Sequence, residues 1–524
     1  MRHAGLMLPL SSATSSESWG IGELPDLLPL SRWLASAGFD HLMILPIGVV
    51  APGDTSPYAA QSAMAIDPMY LALDRVPDFA RAGGVAALSV EARTHLEAAR
   101  AAERVDYASV HRVKREALAL AFARFYREEW GPQSTRAMSL ASFISREGWW
   151  LDDWAVYAAA ADIIGTPDWR DWPEPLRDRH AGAIDEVRRY LGWEMLRHQY
   201  LQWQAELQWQ GARTLARTEG VTVFGDMPFM VAASSPDAWV RPDELMFDVS
   251  LGVPPDQFSD TGQDWGLPTY RWDRIAETGY AWMRQRARRM AALYDGYRVD
   301  HLVGLFRSYG KPAAGESFFN PSGEAAQVAQ GEAILRILLE GQAEIVAEDL
   351  GLVPPFARVT MARLGVPGCK VLRWERHWDA EGQPFIDPAA YPPVSAAMTG
   401  THDTETMAGW WASADDETRQ AALALPQLRA AGCADAGMPW TDALRDAWLA
   451  VACESGSNEL FLPAQDVFGW TDRINMPGTV GEHNWTWRLP WRVDHLAEIP
   501  AARERADFCR RAARAAGRGS VDTR

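Results

Sequence analysis

Short apolar runs alternate with amphipathic helical stretches along this chain, and that alternation leaves few folds open. Eight such runs stand at 4–10, 41–47, 221–224, 296–299, 344–347, 369–374, 394–398 and 460–462. A strand, a crossover helix and a parallel strand are what this pattern predicts, and eight such strands close on themselves. The expected fold class is therefore α/β, a (β/α)8 TIM barrel. Several runs end in polar or charged residues followed by loops, which is where barrel enzymes carry their chemistry.

The spacing is uneven at one point. The second run ends at 47 and the third begins at 221, a gap no single crossover needs. Residues 76–148 are rich in Ala, Arg and Glu at helical spacing, and 184–218 reads as another long helix. A Trp- and Pro-rich connection at 166–175 interrupts them. The predicted organisation is a first part of the barrel at 1–75, a mainly helical insertion at 76–218, the remainder of the barrel at 219–500, and a C-terminal helix with a frayed polar tail at 501–524. Pro254-Pro255 and scattered glycines predict a shaped loop at about 252–272.

Composition narrows the function classes. The net charge is −18, from 51 basic and 69 acidic residues, which argues against nucleic acid because a polyanion needs a basic footprint. No apolar run is long enough for a membrane span. The first residues lack the apolar core and cleavage site of a secretory signal, so a cytoplasmic location is expected. The 4 cysteines show neither paired spacing nor a neighbouring His cluster, so no metal site is expected. No phosphate loop or nicotinamide fingerprint occurs, so no cofactor is expected. Trp is unusually frequent, 25 against 17 Phe and 13 Tyr. Flat indoles suit the apolar face of a sugar, but they also build cores.

Three segments carry the chemistry. Tyr294-Asp-Gly-Tyr-Arg-Val-Asp-His301 puts Arg298, Asp300 and His301 at one strand end. Ala343-Glu-Ile-Val-Ala-Glu-Asp-Leu-Gly351 puts Glu348 at the next, and Met398-Thr-Gly-Thr-His-Asp403 puts His402 and Asp403 at a third. Retaining glycoside chemistry needs two carboxyl groups about 5–5.5 Å apart, one attacking and one exchanging protons. Asp300, short and held ionised by Arg298, suits the nucleophile. Glu348, with a longer reach and a carboxylate neighbour to raise its pKa, suits the acid/base. Asp403 would brace the distorted sugar, with His301 and His402 donating to its hydroxyls.

Further motifs give the chain a family resemblance. Gly20-Ile-Gly-Glu-Leu24, Ser56-Pro-Tyr58, Gly225-Asp-Met-Pro228, Gly252-Val-Pro-Pro-Asp-Gln-Phe-Ser259, Thr261-Gly-Gln-Asp-Trp-Gly-Leu-Pro268, Gln465-Asp466, Arg473-Ile-Asn-Met-Pro-Gly478 and Asn484-Trp-Thr-Trp-Arg488 span nearly the whole length. They resemble glycoside hydrolase family 77, the 4-α-glucanotransferases or amylomaltases, relatives of the α-amylases. The resemblance implies the three carboxylate roles above, with Tyr58 stacking on the sugar beside the cleavage point. It implies that Ser56, Asp226, Gln263, Trp265, Arg298, His301, His402 and Asn475 line the subsites. The segment around 252–272 would be a flexible lid. The implied substrates are 1,4-α-glucans, maltooligosaccharides and glucose, with no cofactor. The chain departs from the family pattern at Thr404-Glu405, at 371–376 and at 59–62. A retaining α-glucan hydrolase and a non-catalytic glucan-binding protein remain open alternatives at this point.

Overall fold

The computed structural model describes residues 2–51, 53–255, 261–433, 435–479, 481 and 483–519. The eight apolar runs form eight parallel strands: β1 (Gly5–Leu8), β2 (His41–Ile44), β3 (Thr222–Met227), β4 (Gly296–Val299), β5 (Glu344–Ala347), β6 (Gly368–Val371), β7 (Ser395–Met398) and β8 (Glu459–Pro463). Each pairs with its neighbours in sequence, and β8 closes on β1 with Gly5 opposite Phe461. The fold is a closed (β/α)8 barrel.

Inside it, Met7, Met43, Phe224, Val346, Cys369, Val371, Ala396, Met398 and Phe461 form a buried layer beneath the mouth. Gly296 makes room for that layer, because a Cβ there would lie 2.2 Å from the Phe224 ring. All four cysteines are buried free thiols.

Between β2 and β3 every regular element is helical, including Tyr107–Phe125, Thr135–Ile164 and Gly192–Thr218. Trp169 and Trp172 of the Trp/Pro connection are buried with Tyr157 and Trp239 in a core of their own. Gly192–Thr218 packs on Thr135–Ile164 and also on the barrel. Its Trp209 Nε1 donates to Leu293 O at 2.7 Å, and Arg213 pairs with Asp295 at 2.9 Å. Lys114 ties the helical stretch to the barrel loops, with Nζ 2.6 Å from both Glu23 and Met69 O and 2.8 Å from Leu71 O. Among the described residues no helix is long and apolar enough to cross a membrane.

Three local expectations are corrected. Within the segment 252–272, residues 252–253 and 263–270 are strand rather than loop. Leu245–Val253 and Gln263–Tyr270 pair antiparallel in a four-stranded sheet with Ser308–Pro312 and Phe318–Asn320. Leu245, Val249 and Leu251 turn inward while Asp248 faces solvent, and pairing with Ser308–Pro312 satisfies the backbone. Residues 256–260 lie outside the described residues, and with them half of the Gly252–Ser259 motif.

The run at 369–374 stops being a strand at Val371, and Leu372–Trp374 turns as a 3-10 helix. Arg373 causes the turn to fold inward: it is buried, and its Nη2 donates to Thr399 O at 3.2 Å.

The tail is docked rather than frayed as far as Gly519. Buried Arg518 donates to the carbonyls of Cys453, His3, Asn458, Ser455 and Ser457, which hold the chain after the helix Pro500–Ala515 against the base of the barrel. Residues 520–524 lie outside the described residues.

Candidate active site

The carboxyl ends of β3, β4, β5 and β7 converge on one guanidinium. Arg298, the third residue of β4, points into the mouth and is buried. Its Nη1 lies 2.6 Å from Asp226 Oδ2 and 3.0 Å from Asp300 Oδ1, and its Nη2 lies 3.9 Å from Glu348 Oε2. One fixed cation therefore faces three carboxyl groups in a low-dielectric site.

The backbone ladder places the carboxyls of Asp300 and Glu348. Asp300 N donates to Met227 O and Glu348 N to Val299 O, which extends the parallel pairing one residue past each strand. His301 then turns back with φ of +45°. Its amide donates to Glu348 Oε2 at 2.7 Å, so the chain just after Asp300 holds Glu348. Burial raises the Glu348 carboxyl to about 7; Arg298 opposes this and Asp300 adds to it. The expectation that a neighbouring carboxylate would be the cause is thus only partly met, because burial is the larger effect. The adjacent Asp349 points elsewhere, 3.2 Å from Arg358.

Asp403 follows β7 in a loop that Thr404 closes, its Oγ1 accepting Thr401 N and donating to Thr401 O, both at 3.0 Å. The departure at Thr404 thus serves the loop itself. Asn475 Nδ2 donates to Asp403 Oδ1 at 2.7 Å, and His402 Nε2 lies 3.3 Å from Oδ2. Burial works to raise this carboxyl, but His402 and Asn475 outweigh it and hold it at about 2. Burial likewise lowers His402, and Asp403 more than reverses that, so His402 shifts upward. His301 goes the other way: burial takes it down to about 4, leaving a neutral ring.

Tyr58 sits beside this group, stacked on His402 at 4.9 Å and 19°. Its hydroxyl donates to Asp226 Oδ2 at 2.6 Å. Ser56 shapes the turn below it, its Oγ accepting Tyr58 N at 3.4 Å. From the hairpin, Trp265 meets His301 edge-on at 4.8 Å, and its Nε1 donates to Gln263 Oε1 at 3.1 Å. The contacts link all twelve residues expected from sequence into one connected group, Ser56 through Tyr58 and Gln263 through Trp265.

Three supporting residues were not singled out from sequence. Arg473 Nη2 donates to Asp403 O at 2.8 Å, Trp485 packs 5.6 Å from Tyr58 and 5.7 Å from His402, and Phe229 lies 5.3 Å from His301. Arg473 and Trp485 stand inside motifs already noted, which was the available signal.

A closed parallel barrel with three carboxyl groups around one buried arginine at its carboxyl-end mouth defines a barrel enzyme with an acid/base site. The family model described as 4-alpha-glucanotransferase matches residues 8–494. The 4-alpha-glucanotransferase of Thermus thermophilus is 33% identical over 505 residues, covering 93% of this chain and 95% of that one. That of Chlamydia pneumoniae is 29% identical over 507 residues, covering 94% and 92%. Among solved structures, the amylomaltase from Streptococcus agalactiae in complex with acarbose superposes with a TM-score of 0.82 at 25% identity, covering 99% of this chain and 100% of that one. The chain belongs to the 4-alpha-glucanotransferase family, glycoside hydrolase family 77. Its activity is that of a 4-alpha-glucanotransferase.

Proposed function

We propose that the reaction is a retaining double displacement on 1,4-α-glucans. Asp300 attacks the anomeric carbon while Glu348 gives its proton to the departing 4-oxygen, leaving a β-glucosyl ester on Asp300. Glu348, now ionised, takes the proton from the 4-hydroxyl of glucose or another glucan, which displaces Asp300 and restores the α-linkage. Asp403, ionised throughout, steadies the positive charge on the ring, and neutral His301 together with His402 hydrogen-bonds its hydroxyls.

The observation that carries this reading is the divergence of two carboxyl groups at one barrel mouth, Glu348 at about 7 beside Arg298 and Asp403 at about 2 beside His402 and Asn475. A group near 7 both gives and takes a proton at neutral pH; one near 2 stays charged. The Streptococcus agalactiae relative binds acarbose, which fits a maltooligosaccharide-shaped cleft here. Tyr58 and Trp265 supply flat walls for such a chain, and Ser56, Gln263 and Asn475 supply polar contacts. The hairpin around Trp265 would cover the acceptor side and favour sugar over water. Four buried free thiols suit a reducing cytoplasm.

The test is purified protein with maltotriose alone, products resolved over time, beside Asp300→Asn. Longer and shorter maltooligosaccharides plus glucose, absent in the variant, are expected. Only shorter products would make the protein a hydrolase, and an unchanged rate in Asp300→Asn would remove the assigned nucleophile.

A further inference from the structure

The base of the barrel, opposite the mouth, holds a second group of polar side chains. β2, β5 and β8 each begin with one: His41, Glu344 and Glu459. One nitrogen or oxygen from each lies within 4.8 Å of the others. His41 is only 4% exposed, wedged between the His3 ring at 4.4 Å and Phe224 at 4.8 Å. Gly5 makes this wedge possible, since a Cβ there would lie 2.6 Å from His41 O.

His41 Nδ1 lies 2.8 Å from Asp40 O and 2.7 Å from Thr222 Oγ1. Asp40 O only accepts and Thr222 Oγ1 can accept, so the tautomer with its hydrogen on Nδ1 is the one that satisfies both contacts. In the neutral ring, Nε2 is then a bare lone pair. It lies 3.2 Å from Glu459 Oε2, an ion pair when the ring is protonated, and neither atom has any other hydrogen-bond partner. A lone pair facing carboxylate oxygens at this distance is repulsive unless a cation stands between them.

The other charged groups at this end are engaged. Asp40 accepts from Ala4 N and pairs with His3 at 2.8 Å. Arg2 donates through Nη1 and Nη2, and Arg518 through Nε and Nη1, to backbone carbonyls. Neither arginine forms an ion pair with Glu344 or Glu459 among the described residues.

We propose that His41 Nε2, Glu344 and Glu459 form a divalent transition-metal site of the zinc type, with water as the fourth ligand. Zinc binds imidazole and carboxylate at about 2.0–2.2 Å, which puts tetrahedral donor atoms roughly 3.3–3.6 Å apart. His41 and Glu459 already approach that spacing at 3.2 Å. Glu344 is exposed and free to swing in. The carbonyl of Asp40 holds the other ring nitrogen, as second-shell partners of metal-bound histidines do. An imidazole among carboxylates favours zinc over magnesium or calcium, which prefer oxygen alone. The ion would clip three strand starts together across the base, remote from the reacting sugar, and so act on stability rather than turnover.

The test is calorimetric titration of Zn2+ alone into the full chain after treatment with a chelator, at neutral pH. Binding of one Zn2+ per chain is expected, with a thermal midpoint that rises with Zn2+. Glu344→Gln and Glu459→Gln each weaken binding at least about tenfold. Glu344→Gln, at an exposed position, keeps its fold and its transfer rate. Glu348→Gln leaves Zn2+ affinity unchanged. The proposal is overturned by absence of stoichiometric binding, which would leave a proton on His41 as the bridging cation. It is equally overturned if both base variants bind as the parent does, or if Glu348→Gln abolishes binding.

Discussion

Glu348 accepts the backbone amide of His301 at 2.7 Å, one residue after Asp300. Glu348 is thus held by the segment that carries Asp300. Any movement of the end of β4 shifts both carboxyls together and keeps their separation.

Burial raises Glu348 to about 7, against Arg298 and with help from Asp300. In the proposed role of proton donor it must be protonated, so kcat/KM is expected to fall as pH rises through about 7 in initial-rate measurements. The same shift acts on stability. The folded chain holds this proton more tightly than the unfolded chain does. That contribution is therefore full below the unfolded value and is lost as pH rises from about 4.5 to about 7. Glu348→Gln cannot ionise. It is expected to unfold a few degrees higher than the parent at about pH 8, with no gain at about pH 4, in thermal scans.

Asn475→Ala removes a hydrogen bond to a charged acceptor, Asp403, which is worth about 1.5–3 kcal/mol. The expected outcome is a fall in kcat of roughly 10- to 150-fold in initial-rate measurements on maltotriose. Asp403 also rises from about 2, so the acid limb of the pH profile moves to higher pH.

Tyr58→Phe keeps the ring on His402 and deletes only the hydroxyl bonded to Asp226, which still has Arg298. Activity drops by about 2- to 10-fold. Tyr58→Ala also removes the stacking and costs about another tenfold. Steady-state rates of the two variants side by side check the order.

Lys114→Met strands Glu23 in the interior and frees two carbonyls. Destabilisation of about 3–5 kcal/mol is expected in urea unfolding, and Glu23→Gln added to it recovers part of the loss.

The barrel was legible because short apolar runs ended by charge, as at 296–299 and 344–347, are bounded on both sides by residues that cannot stay in the core. Asp300 and Glu348 stood out because each follows such a run directly, and Asp403 because it stands in the short segment that leaves the run 394–398. The hairpin at Leu245–Val253 and Gln263–Tyr270 was not legible, since its alternation is broken by Gly252, Gly266 and Pro268, which read as loop residues. Arg473 and Trp485 act only once distant loops fold onto Asp403 and Tyr58, and no local pattern encodes that. His41, Glu344 and Glu459 escaped notice for the same reason. Each is the first residue of a different strand, and only closure of the barrel makes them neighbours.

The helix Gly192–Thr218 belongs to two bodies at once: it packs on Thr135–Ile164 and carries the crossover into β3. The helical stretch is therefore a lengthened crossover and not a detachable cassette. A deletion within the helical stretch must therefore spare the end of this helix to keep the connection into β3. Trimming it away would open the barrel between its second and third staves.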